Sequence, residues 1–227
     1  MKLKRLLAPE FWKQPKKVFK FTVSPRPGPH KKFECIPLLI IVRDILKLAE
    51  TGKEAKRIIK NGEILVDGRK RKDHAYPVGL MDVVSIPKID RHFRILPGLK
   101  GLEVVEIGKE EANQKLCRIN NKTAVKGGKI QLNLHDGRNI LIEKEKDEYK
   151  TGDSVLIEVP SQRILKHIRL KPGSIGIILK GQNSGKRAKV EEIIERRSLK
   201  ESKKIICSLE DKKVEISKDY FFVIEEG

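Results

Sequence analysis

The stretch IPLLIIVRDILKLAETGKEAKRIIKNGEILVDGRKRK, residues 36–72, decides the fold. Pro37 stands where a first-turn proline stands. Behind it Leu38, Leu39, Ile41, Val42, Ile45, Leu46, Leu48 and Ala49 lay down a broad apolar face. Arg43 and Lys47 fall at i, i+4 on the remaining face. Thr51-Gly52-Lys53-Glu54 has capping-box spacing, in which a hydroxyl and a carboxylate satisfy the unpaired N–H groups of a helix start. The second helix that follows turns Ala55, Ile58 and Ile59 inward and leaves Lys53, Lys56, Arg57 and Lys60 elsewhere. Asn61-Gly62 ends it, because these residues enter the left-handed region at low cost. Ile64-Leu65-Val66 then reads as a strand, Asp67-Gly68 as a hairpin turn and Arg69-Lys70-Arg71-Lys72 as a basic return. Asp82 to Ile86 adds a strand. Two helices on a small sheet are expected over residues 35–93.

Downstream, residues 94–170 read as short strands over 102–107, 129–134, 138–143 and 154–159, with His135-Asp136-Gly137 turning the middle pair. Glu110 to Lys115 allows one or two helical turns. A small barrel or an open curled sheet is expected. Residues 171–227 alternate Ile175 and Ile177 with glycines, run through the loop Lys180-Gly181-Gln182-Asn183-Ser184-Gly185-Lys186-Arg187, and resume as strands spaced like a small SH3-like barrel.

Upstream, residues 1–34 hold Pro9, Pro15, Pro25, Pro27 and Pro29, which forbid a continuous helix. Phe11, Trp12, Phe19 and Phe21 lie among Lys13, Lys16, Lys17 and Lys20. Two readings stay open. The aromatics can stack on unpaired bases while the cations meet phosphates, or Phe11 and Trp12 can dock on the next domain. The segment is expected to be disordered alone and to order on RNA. The fold class is α+β and multi-domain: a basic extension at 1–34, a helix-pair domain at 35–93, a central β domain at 94–170 and a β barrel at 171–227.

Charge points to the partner. Lys and Arg number 50 against 31 Asp and Glu, a net charge of +19 in 227 residues. Residues 1–32 carry ten of these cations against the single acid Glu10, and residues 171–190 carry five against none. Such asymmetry argues for a polyanion. The longest apolar run is broken by Pro37 and too short to span a bilayer, and no signal-peptide core follows the basic start. Cys35, Cys117 and Cys207 are too far apart for a zinc cluster or a disulfide framework, and point to a reducing compartment.

These segments carry resemblances. Residues 36–86 resemble the alpha-L RNA-binding fold, and Pro172 through Val190 resembles a KOW motif, with Gly181 and Gly185 at its loop glycines and Ala188 where a glycine is usual. Their combination is more specific. Leu3-Lys4-Arg5-Leu6, Ala8-Pro9, Trp12, Pro25-Arg26-Pro27-Gly28-Pro29-His30-Lys31, Glu34-Cys35-Ile36-Pro37-Leu38, Tyr76-Pro77, Gly79, Met81-Asp82-Val83, Lys115-Leu116-Cys117 and His135-Asp136 are similar to the S-four-e family of small-ribosomal-subunit proteins, in its archaeal form. The resemblance covers essentially the whole chain. It implies a cytoplasmic structural protein of the small subunit, with small-subunit rRNA and neighbouring ribosomal proteins as partners. No membrane, small-molecule substrate, cofactor, metal or obligate homo-oligomer is expected.

The residues expected on RNA are Lys2, Lys4, Arg5, Trp12, Lys13, Lys16, Lys17, Arg26, His30, Lys31 and Lys32 in the extension. The helix pair and hairpin add Arg43, Lys47, Lys53, Lys56, Arg57, Arg69, Lys70, Arg71 and Lys72. The third unit adds Lys180, Asn183, Lys186 and Arg187, with Gly181 and Gly185 shaping the loop. An RNA-modifying enzyme or its guide subunit, and a transcription-elongation factor, are the competing readings. Gly181 to Lys186 lacks the spacing and following hydroxyl of a phosphate-binding P-loop. His135-Asp136 reads as turn chemistry, and Cys35 and Cys117 as packing thiols.

Overall fold

A computed structural model of the chain describes residues 2–15, 17–194, 203–209 and 212–226. They form an α+β assembly of several sheets and few helices, in two compact units. The first takes residues 1–96, 100–115 and 159–161; the second takes 97–99, 116–158 and 162–227. No helix among the described residues is long and apolar enough to cross a membrane.

In the first unit Cys35–Pro37 pairs antiparallel with Pro77–Gly79 and leads into α1 (Leu38–Ile40), which continues as a wider π turn over Ile41–Ile45. The Leu46 N–H reaches back to the Ile41 carbonyl at 2.8 Å, and Lys47 leaves the turn in left-handed backbone at φ +53°. The first helix is therefore shorter than its apolar run suggests. The β-branched succession Ile40-Ile41-Val42 crowds a regular helical turn. Arg43 sits in the wide turn and Lys47 beyond it, not on one helical face.

The second helix, α2 (Gly52–Lys60), starts as its spacing requires. The Thr51 hydroxyl accepts the Glu54 N–H at 3.2 Å, and the Glu54 carboxylate accepts the Thr51 N–H at 3.3 Å. Asn61 and Gly62, the latter at φ +75°, close it. Asp67 and Gly68 both have positive φ, +50° and +72°, and turn Leu65–Val66 into Arg69–Lys70. Twist-matched two-residue hairpin turns need this geometry at both central positions. The five-stranded sheet runs in the order Arg69–Lys70, Leu65–Val66, Val83–Ile86, Arg91–Gly98, Gly101–Ile107. The boundary expected between residues 93 and 94 thus falls inside a strand. Phe93 and Ile95 join Ile36, Leu38, Leu39, Val42, Ala55, Ile59, Ile64 and Val84 in one core.

The N-terminal segment belongs to that core. Lys2–Lys4 pairs with Phe21–Val23, and Trp12 is 0% exposed, its Nε1–H donating to the Cys35 carbonyl at 2.8 Å. Of the two readings of this segment the docking one describes the structure, and the expectation of a free, disordered arm is corrected. Trp12 anchors the segment with its one donor satisfied, and Leu3, Ala8, Phe11 and Val23 pack in the same core.

One polar cluster lies inside the same unit. Lys115, completely buried, places its Nζ 2.8 Å from Asp67 Oδ2 and 2.5 Å from Asp82 Oδ1. Asp67 also accepts the Val83 N–H, and Asp82 accepts the Gly79 N–H, both at 2.9 Å. His30 Nε2 lies 2.9 Å from Asp82 Oδ2. A Cβ on Gly79 would fall on the His30 ring, so only glycine admits it. Burial works to neutralise Asp82, but the Lys115 ammonium and His30 outweigh it and hold the carboxyl well below its ordinary range.

The second unit holds two five-stranded sheets. One runs Asn139–Glu143, Lys129–Leu134, Gln114–Val125, Ser154–Glu158, Ile164–Ile168; the other runs Lys212–Ser217, Lys204–Leu209, Arg187–Ile194, Ile175–Ile178, Phe221–Glu225. Ile178, Val190, Ile205, Cys207, Phe221 and Val223 fill the core of the second sheet. All three cysteines are free and buried. Burial, with Asp82 and Glu34 nearby, pushes the Cys35 thiol up to about 12, and burial with Glu191 pushes Cys207 up to about 11. Both remain thiols at neutral pH, as packing residues do.

Lys115→Met leaves Asp67 and Asp82 buried without their shared cation, and should lower unfolding free energy by about 3–5 kcal/mol in denaturant titrations. Lys204→Met, which breaks the exposed 2.6 Å pair with Glu215, should change it by less than about 1 kcal/mol. The Asp82 pKa is lower folded than unfolded, so the unfolded chain takes up the proton first. Its contribution should be complete above about pH 4 and decline as pH falls from there towards the folded pKa. Denaturant titrations from pH 6 to pH 2 would read this.

Candidate nucleic-acid interface

In the first unit Lys88 pairs with Glu63 at 2.9 Å, Arg91 with Glu106 at 2.8 Å and Arg94 with Glu111 at 3.6 Å. The cations of α2 and the hairpin differ. Lys53, Lys56, Arg57, Arg69, Lys70 and Lys72 are exposed and make no ion pair among the described residues. The acids nearby have other duties. Glu54 caps the helix, and Asp44 is held bidentate by Arg43 at 2.9 Å and by Gln14 at 2.7 Å.

Packing brings these cations to one region. A Cβ on Gly52 would lie 3.3 Å from Arg43 Nη1, so Arg43 reaches the start of α2. At the other end a Cβ on Gly62 would lie 3.7 Å from both Lys70 Cδ and Lys72 Cε, so the hairpin lysines run past the helix C-terminus. Cations are favoured there by the carbonyl end of the helix dipole. Arg71 is instead half-buried, its guanidinium 4.4 Å from the centre of the Tyr76 ring.

Beside this region a cleft of about 440 Å³ opens between the N-terminal segment and the helix pair. Arg5, Arg26, Arg43 and Lys56 line it together with Phe19, Phe21, Gln14 and His74. Phe19 is 57% exposed and Phe21 43% exposed. The Arg43 guanidinium lies 6.0 Å from the Phe19 ring centre. Burial first, and the nearby Lys56 charge next, lower the His74 pKa, so its ring is neutral at physiological pH. Arg26 shares its charge with Asp73 at 3.2 Å.

Three residues expected on RNA leave that role. Trp12 is buried and the His30 side chain is only 6% exposed, and both rings face protein. Arg5 is 4% exposed and donates through Nη2 to the Gln14 carbonyl, so it reaches only the wall of the cleft. Lys4, Lys13, Lys17, Lys31 and Lys32 are exposed. The Lys2 backbone pairs with Val23, and Lys16 lies outside the described residues. Phe19 and Phe21 were legible as aromatics among lysines, whereas Gln14 and His74 carry no sequence signal that would have found them.

In the second unit the loop 180–187 joins Ile175–Ile178 to Arg187–Ile194. Gly181 at φ +95° and Gly185 at φ +81° shape it, and Ala188 is buried in the following strand. Lys180 Nζ lies 5.5 Å from the centre of the Tyr220 ring, an aromatic that sequence reading missed. Lys186 and Arg187 are exposed and Asn183 half-buried. Cys117, His135 and Asp136 bring possible ligand atoms together. Asp136 however accepts the Arg138 N–H at 3.2 Å and faces its guanidinium at 3.3 Å, and His135 Nδ1 accepts the Arg118 N–H at 3.2 Å. This is turn chemistry.

Comparison with known proteins agrees along the chain. Residues 89–164 match the family described as Ribosomal family S4e, residues 1–33 the RS4NT domain and residues 37–84 the S4 domain. The small ribosomal subunit protein eS4 of Methanocaldococcus jannaschii is 49% identical over 98% of this chain and 93% of its own length. That of Methanothermobacter thermautotrophicus is 46% identical over 98% and 91%. The crystal structure of the 30S ribosomal protein S4e from Thermoplasma acidophilum superposes with a TM-score of 0.73 at 28% identity, covering 85% of this chain and 96% of that one.

The loop supplies a paired test. A Cβ on Gly185 would lie 3.0 Å from the Gly98 backbone and the Pro97 carbonyl, at a φ that side chains rarely adopt. Gly185→Val should therefore cost about 1–3 kcal/mol of stability. Lys186→Ala should fall within about 0.5 kcal/mol. Thermal melts of the two variants give the comparison.

Proposed function

The chain belongs to the ribosomal S4e family, and from that membership we propose that it binds and stabilises small-subunit rRNA through the cations of α2 and the hairpin, the exposed lysines of the N-terminal segment and the loop 180–187. It is a ribosomal protein of the cytoplasmic small subunit and not an enzyme. The observation that carries the binding reading is that the exposed cations of α2 and the hairpin make no ion pair among the described residues, while Lys88, Arg91 and Arg94 in the same unit do. A folded protein gains little by leaving a cluster of like charges unscreened. A row of phosphates neutralises them and releases condensed counterions.

The contact residues of this reading are Lys53, Lys56, Arg57, Arg69, Lys70 and Lys72, with Arg43 and Lys47 beside them and Lys4, Lys13, Lys17, Lys31 and Lys32 from the N-terminal segment. The C-terminal sheet and its two positive-φ glycines support a KOW-type unit, in which Lys186 and Arg187 meet phosphate and Asn183 and Lys180 flank them. Structured RNA is recognised by such units through shape and backbone. Neighbouring ribosomal proteins complete the set of partners.

Binding to small-subunit rRNA should weaken steeply with salt, by about 0.7–0.9 of a log unit per log unit of salt for each phosphate contact. The variant with Lys53, Lys56, Arg57 and Lys70 changed to Gln should bind weakly and show a visibly shallower salt slope. The matched variant with Lys88, Lys109, Lys204 and Lys213 changed to Gln, all acid-paired, should retain affinity and slope. Equal loss in filter-binding titrations would mean that net charge alone governs affinity.

A further inference from the structure

The cleft beside α2 has features that phosphate binding does not require. An electrostatic surface for duplex backbone needs exposed cations only. This cleft is also lined by two exposed phenylalanine rings, Phe19 and Phe21, together with Arg5 and Lys56. Exposed aromatics beside cations are the composition of a platform on which an unpaired base stacks.

Arg5 adds an independent observation. Its guanidinium is buried, its Nη2 donates to a neutral carbonyl, and its Nε–H has no acceptor among the described residues. No carboxylate among the described residues pairs with it. A buried cation without a counter-ion is unfavourable unless an anion answers its charge. Asp44 cannot supply that answer, because Arg43 and Gln14 already hold it. Lys56, also in the lining, likewise has no acidic partner among the described residues. The cleft therefore combines stacking surface with surplus positive charge, and its volume of about 440 Å³ exceeds what a few waters need.

We propose that this cleft receives a single unstacked nucleotide of an RNA strand, its base on the Phe19 and Phe21 rings and its phosphate facing Lys56, with the buried charge of Arg5 behind the lining. The inference rests on the RNA-binding reading and deepens it. The helix-pair cations hold duplex backbone without regard to sequence, whereas the cleft selects a bulged or looped position. Such positions are where proteins distinguish one folded RNA from another, since their bases are free to leave the stack.

The test uses the full chain and three probes: a short oligouridylate, the same oligomer with abasic sites, and a blunt RNA duplex of matching length. The intact protein should bind the base-bearing strand more tightly than the abasic one, on the order of tenfold for one stacked base. Changing Phe19 and Phe21 together to Leu keeps apolar bulk but removes the rings. It should erase the preference and leave duplex affinity unchanged, with thermal melting confirming the fold. Changing both to Tyr should preserve the preference. Equal affinity of the intact protein for the base-bearing and abasic strands, or a preference that survives the leucine variant, overturns the inference. If rRNA and duplex are still bound in that case, the RNA-binding reading stands and only the cleft falls. If no RNA is bound at all, both fall.

Discussion

A lysine ammonium sealed inside the first unit sets the terms for the structure around it. Lys115 is shut off from bulk solvent, so Asp67 and Asp82 must stay in place to answer its charge. Each carboxylate is also fastened to backbone, Asp67 to Val83 and Asp82 to Gly79. The turn of the hairpin, the entry of the strand that follows it and the start of Gln114–Val125 are thereby fixed to one point. His30 ties the N-terminal segment to the same point. A hydrophobic contact in this place would tolerate sliding; a charge triangle with directed hydrogen bonds does not.

That rigidity positions the basic region. Asp67 holds the turn from which Arg69, Lys70 and Lys72 project, and Gly62 leaves room for the two lysines to pass the end of α2. The distribution of acids follows the same logic. Glu54 is placed at the cap, where it has backbone partners, and Asp44 is placed where Arg43 and Gln14 absorb it. Apart from the capping Glu54, the charged side chains of α2 are all cations.

Much of this was legible in the residues. The capping box at Thr51, the Asn61-Gly62 stop, the Asp67-Gly68 turn and most strands follow from local chemistry, and local chemistry is what a sequence displays. The strand Arg91–Gly98 and the long strand Gln114–Val125 were missed, because their polar residues hide the alternation. Lys115 shows why: in a sequence a lysine reads as solvent-facing, and only the arrival of two distant aspartates makes its burial tolerable. The shortening of the first helix at Ile41 arises from crowding among neighbours that all look helical in pattern. Of the RNA-facing residues, the unpaired cations were legible by type. Trp12, Arg5 and His30 were misplaced because aromatic and basic character does not reveal which way a side chain faces.

The docking of Trp12 has a thermodynamic consequence. A segment that folds only on its target contributes a large negative heat-capacity change and an ordering entropy to binding, since apolar surface is buried at that moment. Here the indole is already inside the core. Its apolar surface is removed from water when the protein folds, before any RNA is met. Association therefore proceeds from a surface largely formed in advance, with a small heat-capacity change, and its rate is set by orientation and long-range attraction rather than by a search through chain conformations.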